Sequence, residues 1–203
     1  MRNRSPRNSI AMVETFVEGN FLGIPESDED SVDVVILSLP YELTTSYGQG
    51  TVEGPRACIE ASGQVELFDS SLSYDLPAGS SIFTAEPWDG EGSNLLEQLD
   101  RMTEYLIPWF NGDCFPLILG GEHGILPSIL QASINHPEIN GDLSRMTVLQ
   151  IDAHADLRER FDDEPYSHAC AASRALDLGI RNLLQVGVRA FSREEAIRID
   201  TDE

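Results

Sequence analysis

Four short apolar segments alternate with helix-like segments along most of the chain, and this order constrains the fold more than any other feature. These segments are nearly continuous in apolar character and rich in β-branched residues, which is typical of strands covered on both faces. They span residues 32–39, 115–119, 146–151 and 182–188, and the helix-like segments span residues 94–110, 125–134 and 169–178. Strands that alternate with helices predict an α/β fold, in which a mainly parallel sheet lies between two layers of helices.

The domain organisation follows from length and from the character of the first residues. A chain of 203 residues is long enough to bury one core, so we expect one α/β domain over residues 31–203. Residues 1–30 are polar or mixed and end in an acidic run at 26–30. This part has no core-forming periodicity, which predicts a flexible N-terminal segment.

Charge and cysteine usage exclude several classes of partner. The net charge of −22 comes from 35 acidic residues against 13 basic ones, all of which are arginine. Such a surface repels nucleic acid and anionic membranes and favours a small cation or a metal ion, although many acidic surfaces serve only solubility. No apolar run approaches the ~18 to 20 residues of a membrane span. The three cysteines, Cys58, Cys114 and Cys170, are odd in number and far apart, which predicts reduced thiols and a cytoplasmic location.

Metal-ligand residues follow two of the predicted strands directly. Asp152, His154 and Asp156 come at intervals of two residues after the third strand, and His123 follows Gly120-Gly121-Glu122 after the second. The carboxyl ends of parallel strands are where ligands bind in such sheets. We therefore expect all four side chains to converge at one edge of the sheet, with the glycines allowing a tight turn before His123.

The chemistry of these four side chains favours a particular class of ion. Carboxylates and imidazoles without thiolate pairs select hard to borderline ions, and an oxygen-rich set favours Mn²⁺ over Zn²⁺. A lone histidine at a strand end is more often structural than ligating. Two separate strand ends that each deliver a histidine, together with two aspartates, favour a metal site.

These motifs carry a resemblance to the ureohydrolase family, which includes arginases, agmatinases and formiminoglutamases. Residues 120–123 resemble its G-G-[DE]-H signature, and residues 152–156 resemble its D-A-H-x-D signature. The loop at 40–51 and the Gly54-Pro55-Arg56-Ala57 helix start are also similar, and residues 20–23 resemble the agmatinase-like N-terminal segment. The chain is therefore identified as most similar to agmatinase-like members.

The resemblance implies a binuclear Mn²⁺ site and a reaction. His123 and Asp156 would bind one ion, His154 the other, and Asp152 would bridge the two. The implied reaction hydrolyses a cationic guanidino compound to urea and an amine. A guanidinium carbon is a weak electrophile, and two metal ions can provide hydroxide at neutral pH by lowering the pKa of water between them.

A fifth residue, His168, resembles the family's proton-shuttling histidine, which would protonate the departing amine. Imidazole suits this task because it titrates near neutrality. The structural alternative is a histidine packed at the start of a helix. Cys170 is interpreted as a buried small hydrophobic residue, not as a nucleophile. No nucleotide cofactor is implied, because the spacing of Gly48, Gly50 and Gly54 is a poor dinucleotide fingerprint.

Three departures from the family pattern bear on function. Gly124 stands where many relatives place serine. The loop at 157–165 lacks the arginase S-G-N-x-H element, which argues against L-arginine and for a decarboxylated substrate such as agmatine, with putrescine as product. No match to the family's later S-x-D-x-D segment precedes Glu203, so we expect the last strands and helices of the fold, and two of the six metal ligands, to be absent.

Three functional hypotheses remain open at this point. The first is an agmatinase-like Mn²⁺ hydrolase, and the second is a catalytically impaired relative that acts as a binding or interaction subunit. The third is a mononuclear hydrolase with a different amide or amidine substrate. By the same resemblance, we expect a homo-oligomer, either a trimer or a hexamer.

Overall fold

The computed structural model describes residues 18–90 and 92–201. The strands within these ranges are β1 (Val34–Leu39), β2 (Phe68–Asp69), β3 (Tyr74–Asp75), β4 (Ile82–Thr84), β5 (Phe115–Gly120), β6 (Thr147–Ile151) and β7 (Asn182–Val186). The helices are α1 (Gly54–Ser62), α2 (Leu95–Leu106), α3 (Leu126–Ser133), α4 (Ala171–Asp177) and α5 (Arg193–Thr201). Strands and helices alternate over most of the chain, so the predicted α/β class is confirmed.

The main strands are all parallel, but they form two separate groups. β1 lies between β4 and β5 and pairs in parallel with both. β6 pairs in parallel with β7, with Gln150 opposite Gln185. Within the described residues, no ladder joins β5 to β6, and β2 and β3 form a small antiparallel hairpin of their own. The two edge strands that lead to the predicted metal ligands therefore do not pair with each other.

The core is built around β1, which is covered on both faces. Val35, Leu37 and Leu39 point to one face and pack with Leu99, Met102 and Leu106 of α2. Ile36 and Ser38, which point to the other face, are buried as well. Burial on both faces explains why this segment reads as a nearly continuous apolar run. The helix α1 packs against β1 and β5, and α2 packs against α3.

The expectation of strands covered on both faces is wrong for β6 and β7. Alternate side chains of both strands are exposed, and the four large aliphatic ones are Leu149, Ile151, Leu184 and Val186. The opposite faces pack against α4 and its neighbours, where Ala155, Leu157 and Ala172 form a small cluster. The apolar pattern therefore identified the strands correctly but did not show whether a second layer covers them.

Predicted boundaries agree with the structure to within a few residues. The segment at 32–39 begins later, at Val34, and the segment at 182–188 ends earlier, at Val186. The helix predicted over 94–110 is α2 followed by a 3-10 turn at Ile107–Trp109. The sequence reading missed β2, β3, β4 and α5, of which the strands are only two or three residues long.

The N-terminal segment predicted as flexible is only partly within the described residues, because residues 1–17 lie outside them. Within the remainder, the backbone N–H of Phe21 donates to Thr84 Oγ1 and that of Leu22 donates to Ser62 Oγ. Ile24 is buried. Residues 21–24 are therefore held against α1 and β4. Across the part of the chain that is described, no helix combines the length and apolar character needed to cross a membrane.

Candidate metal centre

The carboxyl ends of β5 and β6 bring the two signature segments together. β5 ends at Gly120, and His123 begins a short 3-10 helix, His123–Ile125, that leads into α3. β6 ends at Ile151, and Asp152 follows it directly. Although the two strands do not pair, their ends deliver His123, Asp152 and Asp156 to one place.

Of the two glycines before His123, Gly121 is required by space and not by a left-handed backbone conformation. The backbone bends at Gly121 and Glu122, as expected, but neither Gly120 nor Gly121 has a positive φ. A Cβ atom on Gly121 would lie 2.0 Å from the backbone oxygen of Tyr41, and one on Gly120 would lie 2.5 Å from Ile125 Cδ1. Gly121 lets the end of β5 pass directly against the loop that follows β1, whereas the neighbour of Gly120 is the flexible end of the Ile125 side chain.

Three of the four predicted ligands form a tight cluster. His123 Nδ1 lies 2.6 Å from Asp156 Oδ2 and 3.6 Å from Asp152 Oδ2. One ligand atom from each of the three residues lies within 4.8 Å of the other two. Asp156 is buried and adopts a positive φ of 52°, a conformation that aspartate tolerates better than most residues. That turn accompanies the placement of its carboxylate beside His123.

The electrostatics of the cluster favour positive charge. Burial alone would lower the pKa of His123, but the hydrogen bond and charge of Asp156 and the charge of Asp152 outweigh it, so its pKa is raised. Burial would raise the pKa of Asp152, but a backbone hydrogen bond from His154 and the neighbouring imidazoles lower it below its usual value. Both shifts indicate that the charged form of His123 and the ionised form of Asp152 stabilise each other.

The fourth predicted ligand, His154, lies beside the cluster but is not part of it. Its side chain is 67% exposed, and its Nδ1 lies 3.4 Å from Asp152 Oδ1. The same carboxylate oxygen accepts a hydrogen bond from the backbone N–H of His154 at 2.7 Å. Asp152 therefore stands between His123 on one side and His154 on the other. The ligand role of all four residues stays a prediction.

Two glutamines that the sequence reading missed support the cluster. Gln150 Nε2 donates to Asp156 Oδ2 at 3.1 Å, and Gln185 Nε2 donates to Gln150 Oε1 at 2.7 Å. The two residues are register partners in β6 and β7. A polar residue on the buried face of each apolar strand was the available signal, because a buried amide needs hydrogen-bond partners. Such outer-layer partners fix the orientation of a metal ligand.

His168, the predicted proton shuttle, lies in a neighbouring short helix, His168–Cys170. This helix packs against the short helix that begins at His123. The imidazole makes an edge contact with the ring of Phe161, with ring centroids 5.9 Å apart. Its Nδ1 lies 3.3 Å from both Thr44 Oγ1 and Ser167 Oγ. Cys170 is fully buried, as predicted.

Gly124 stands where no side chain fits, which gives a physical reason for this departure from the family pattern. A Cβ atom there would lie 2.9 Å from Glu122 Oε1 and 3.3 Å from Tyr41 Cε1. Tyr41 is buried, and Glu122 is held by three hydrogen bonds, so neither can move at low cost. The bulky Tyr41 ring takes up space that a serine at this position would need.

Gly124→Ser is therefore expected to lower the free energy of unfolding by roughly 1 to 3 kcal/mol, the usual cost of overpacking. Denaturant unfolding measures this cost. In a Glu122→Asp background, where the carboxylate is one methylene shorter, the additional cost of Gly124→Ser should be smaller. Equal costs in both backgrounds would show that the contact with Glu122 is not the cause.

Comparisons of this sequence with a family model and with known proteins point to the same family. The Arginase family model matches residues 32–202. The N(1)-aminopropylagmatine ureohydrolase of Synechocystis sp. is 34% identical over 167 residues, which cover 80% of this chain and 53% of that protein. The agmatinase of Bacillus cereus is 32% identical over 164 residues, which cover 80% of this chain and 54% of that protein. The chain thus spans about half the length of the curated relatives it matches.

A solved structure shares the fold. The agmatine ureohydrolase of Thermoplasma volcanium superposes with a TM-score of 0.70 at 26% sequence identity, over 84% of this chain and 55% of that one. Its partial coverage agrees with the coverage of the sequence relatives. Because the family model covers most of the described residues and includes all four predicted ligands, the chain belongs to the arginase family.

Proposed function

We propose that this chain takes part in the metal-dependent hydrolysis of a guanidino compound to urea and an amine, with agmatine as substrate and putrescine as product. Membership of the arginase family and relatives named agmatinase and aminopropylagmatine ureohydrolase support the reaction class. The observation that carries the proposal is the cluster of His123, Asp152 and Asp156 within 4.8 Å of one another.

The donor set fits the metal that we propose, Mn²⁺. Two carboxylates and an imidazole, with no thiolate, are ligands of the kind that hard to borderline divalent ions prefer. His123 and Asp156 would hold one ion, and Asp152 would share it with a second ion held by His154. Bound ions of this kind supply Lewis-acid activation of water at neutral pH.

The remaining chemistry falls to the side chains of the chain itself. Gln150 keeps the carboxylate of Asp156 turned toward His123. His168 would donate a proton to the amine nitrogen as the C–N bond breaks, since an amine leaves far more easily when protonated. The packing of the His168 helix against the His123 helix supports this role.

The surroundings of His168 support a cationic substrate. A cavity of about 530 Å³ opens beside it, lined by Thr44, Phe161 and Ser167 among others. The charged residues of its lining are Asp162 and Glu164, both acidic, and the rest of the lining is polar or apolar. A cavity with this lining attracts an ammonium group and includes no positively charged side chain that would pair with a carboxylate, which favours agmatine over arginine.

The cellular setting follows from the same proposal. The three cysteines are unpaired in the structure, which is consistent with the reduced, cytoplasmic location proposed from the sequence. A homo-oligomer of three or six copies stays a prediction. The product putrescine places the proposed activity in polyamine metabolism.

The proposal is tested by urea release from the purified full chain reconstituted with Mn²⁺. The substrates are agmatine, N(1)-aminopropylagmatine, guanidinobutyrate, guanidinopropionate and arginine, and His168→Asn is the matched variant. We expect Mn²⁺-dependent urea from agmatine, with the rate lowered by about 100-fold or more in His168→Asn. If the chain binds at most one ion and releases no urea from any of these substrates, the proposal is wrong, and the alternative of a non-catalytic binding or interaction subunit takes its place.

A further inference from the structure

Glu122 is a buried carboxylate that binds the loop after β1. The residue is only 4% exposed to solvent. Its Oε2 accepts hydrogen bonds from the backbone N–H groups of Leu43 and Thr44, at 3.0 and 2.7 Å. Its Oε1 accepts a hydrogen bond from the hydroxyl of Thr44 at 2.7 Å. All three bonds therefore fix residues 43 and 44 against the end of β5.

Thr44 passes this constraint on to His168. Its Oγ1 accepts a hydrogen bond from the backbone N–H of His168 at 2.9 Å and lies 3.3 Å from the ring Nδ1. The single hydroxyl proton of Thr44 is directed to Glu122, because a carboxylate accepts and does not donate. Toward His168 the oxygen can then only accept. A hydrogen bond between Thr44 and the ring therefore requires a proton on Nδ1.

The second ring nitrogen is left free for chemistry. Ser167 Oγ lies 3.3 Å from the same Nδ1, and its rotatable hydroxyl can also accept. In the described part of the chain, no side chain or backbone group forms a hydrogen bond with Nε2 of His168. In a neutral imidazole with a proton on Nδ1, Nε2 carries the lone pair that takes up a proton.

We infer that Glu122 and Thr44 are positioning residues that hold His168 as the Nδ1–H tautomer, so that Nε2 is the nitrogen that exchanges protons. This inference rests on the proposed function, in which His168 protonates the leaving amine. Nε2 takes up a proton and passes it to the amine nitrogen, which keeps the electron pair of the broken C–N bond. The ring returns to its starting state, with Nδ1 protonated throughout.

Glu122→Gln reverses the direction of the hydrogen bonds and gives the sharpest test. Two backbone N–H groups hold the carbonyl oxygen of the new amide, so its NH₂ group faces Thr44 and donates to Oγ1. The Thr44 hydroxyl is then free to turn and donate to Nδ1 of His168. We expect the tautomer to change from Nδ1–H in the wild type to Nε2–H in this variant.

Thr44 provides the matched pair of variants. Thr44→Val keeps the shape but removes the hydroxyl, so the preference for Nδ1–H should weaken, whereas Thr44→Ser keeps the hydroxyl and should keep the preference. Two-bond proton–nitrogen correlation spectra of the ¹⁵N-labelled full chain report the tautomer directly. The chain has four histidines, so His168→Asn identifies the ring signals.

The spectra measure the tautomer and the urea assay measures the activity, so the inference about the tautomer and the proposed function are tested independently. A wild-type ring with the proton on Nε2, or an unchanged tautomer in both Glu122→Gln and Thr44→Val, overturns the inference even if urea is made. If the wild type makes urea, we expect kcat to fall about 10- to 100-fold in these two variants with little change in KM, and Thr44→Ser to restore it. Absence of urea in the wild type counts against the proposed function and leaves the tautomer result standing.

Discussion

Asp156→Asn is expected to lower the affinity of the chain for Mn²⁺ by about 100-fold or more. Asp156 is the buried member of the cluster, and its Oδ2 lies 2.6 Å from His123 Nδ1. Loss of a partner that merely orients a ligand typically costs 10- to 100-fold in affinity, so loss of a direct carboxylate ligand should reach at least the upper end. Mn²⁺ titration of the metal-free chain by calorimetry measures the change.

Asp163→Asn is the matched control for this variant. Asp163 is exposed and also has a positive φ, of 62°, so the two substitutions make the same change of charge in the same backbone conformation. The control should bind Mn²⁺ as the wild type does. If both variants lose affinity equally, the general acidity of the chain, and not the cluster, attracts the ion.

Gly121→Ala is expected to produce the largest loss of stability, about 3 kcal/mol or more in the free energy of unfolding. The added Cβ would lie 2.0 Å from the oxygen of Tyr41 and 2.9 Å from its carbonyl carbon and its nitrogen. These are backbone atoms, so no side-chain rotation relieves the contact, and β5 must move away from the loop after β1. Overpacking costs reach or exceed the upper end of their usual range in such a case.

Chemical unfolding of the metal-free chain measures this loss. Gly141→Ala is a suitable control, because a Cβ at that position meets no atom within 4 Å while its φ is +82°. The control should cost only the strain of a left-handed residue, about 1 to 2 kcal/mol. A smaller loss for Gly121→Ala than for the control would show that the close approach to Tyr41 does not constrain the fold.

The sequence was sufficient to predict the elements that carry the site. The residues Asp152, His154 and Asp156 follow β6, and His123 follows β5. The carboxyl ends of parallel strands point to the same edge of the sheet, so these residues were expected to lie near one another. This rule works even though β5 and β6 do not pair with each other. It could not predict that His154 would remain exposed beside the cluster, since that depends on how the loop turns after Asp152.

Features that depend on contacts between distant segments were not predictable from the sequence. Glu122 and Thr44 are 78 residues apart, and Thr44 and His168 are 124 residues apart, so no local pattern marks their hydrogen bonds. The same holds for Glu195, a buried residue of α5 that accepts a hydrogen bond from the backbone N–H of Leu157. A motif identifies residue types with useful chemistry, but only the packed structure identifies the neighbours that orient them.

The exposed face of β6 and β7 shows the same limit for packing. Leu149 and Ile151 have the composition of a doubly covered strand, yet they are exposed in the described structure. The hydrophobic pattern of a strand shows which of its side chains can be buried, whereas their actual burial depends on which elements pack against the strand. The short strands β2, β3 and β4 were not predicted for a different reason. Two or three residues are too few to show the alternation of apolar and polar side chains that marks a strand.

The function that we propose requires His123, Asp152 and Asp156 to bind a divalent metal ion together. Anomalous diffraction at the manganese absorption edge, from crystals of the full chain grown with Mn²⁺, tests it most directly. We expect an anomalous peak within coordination distance of His123 Nδ1 and of the carboxylates of Asp152 and Asp156. Fully ordered side chains at this site with no peak between them, or a manganese peak held by other residues, would contradict it.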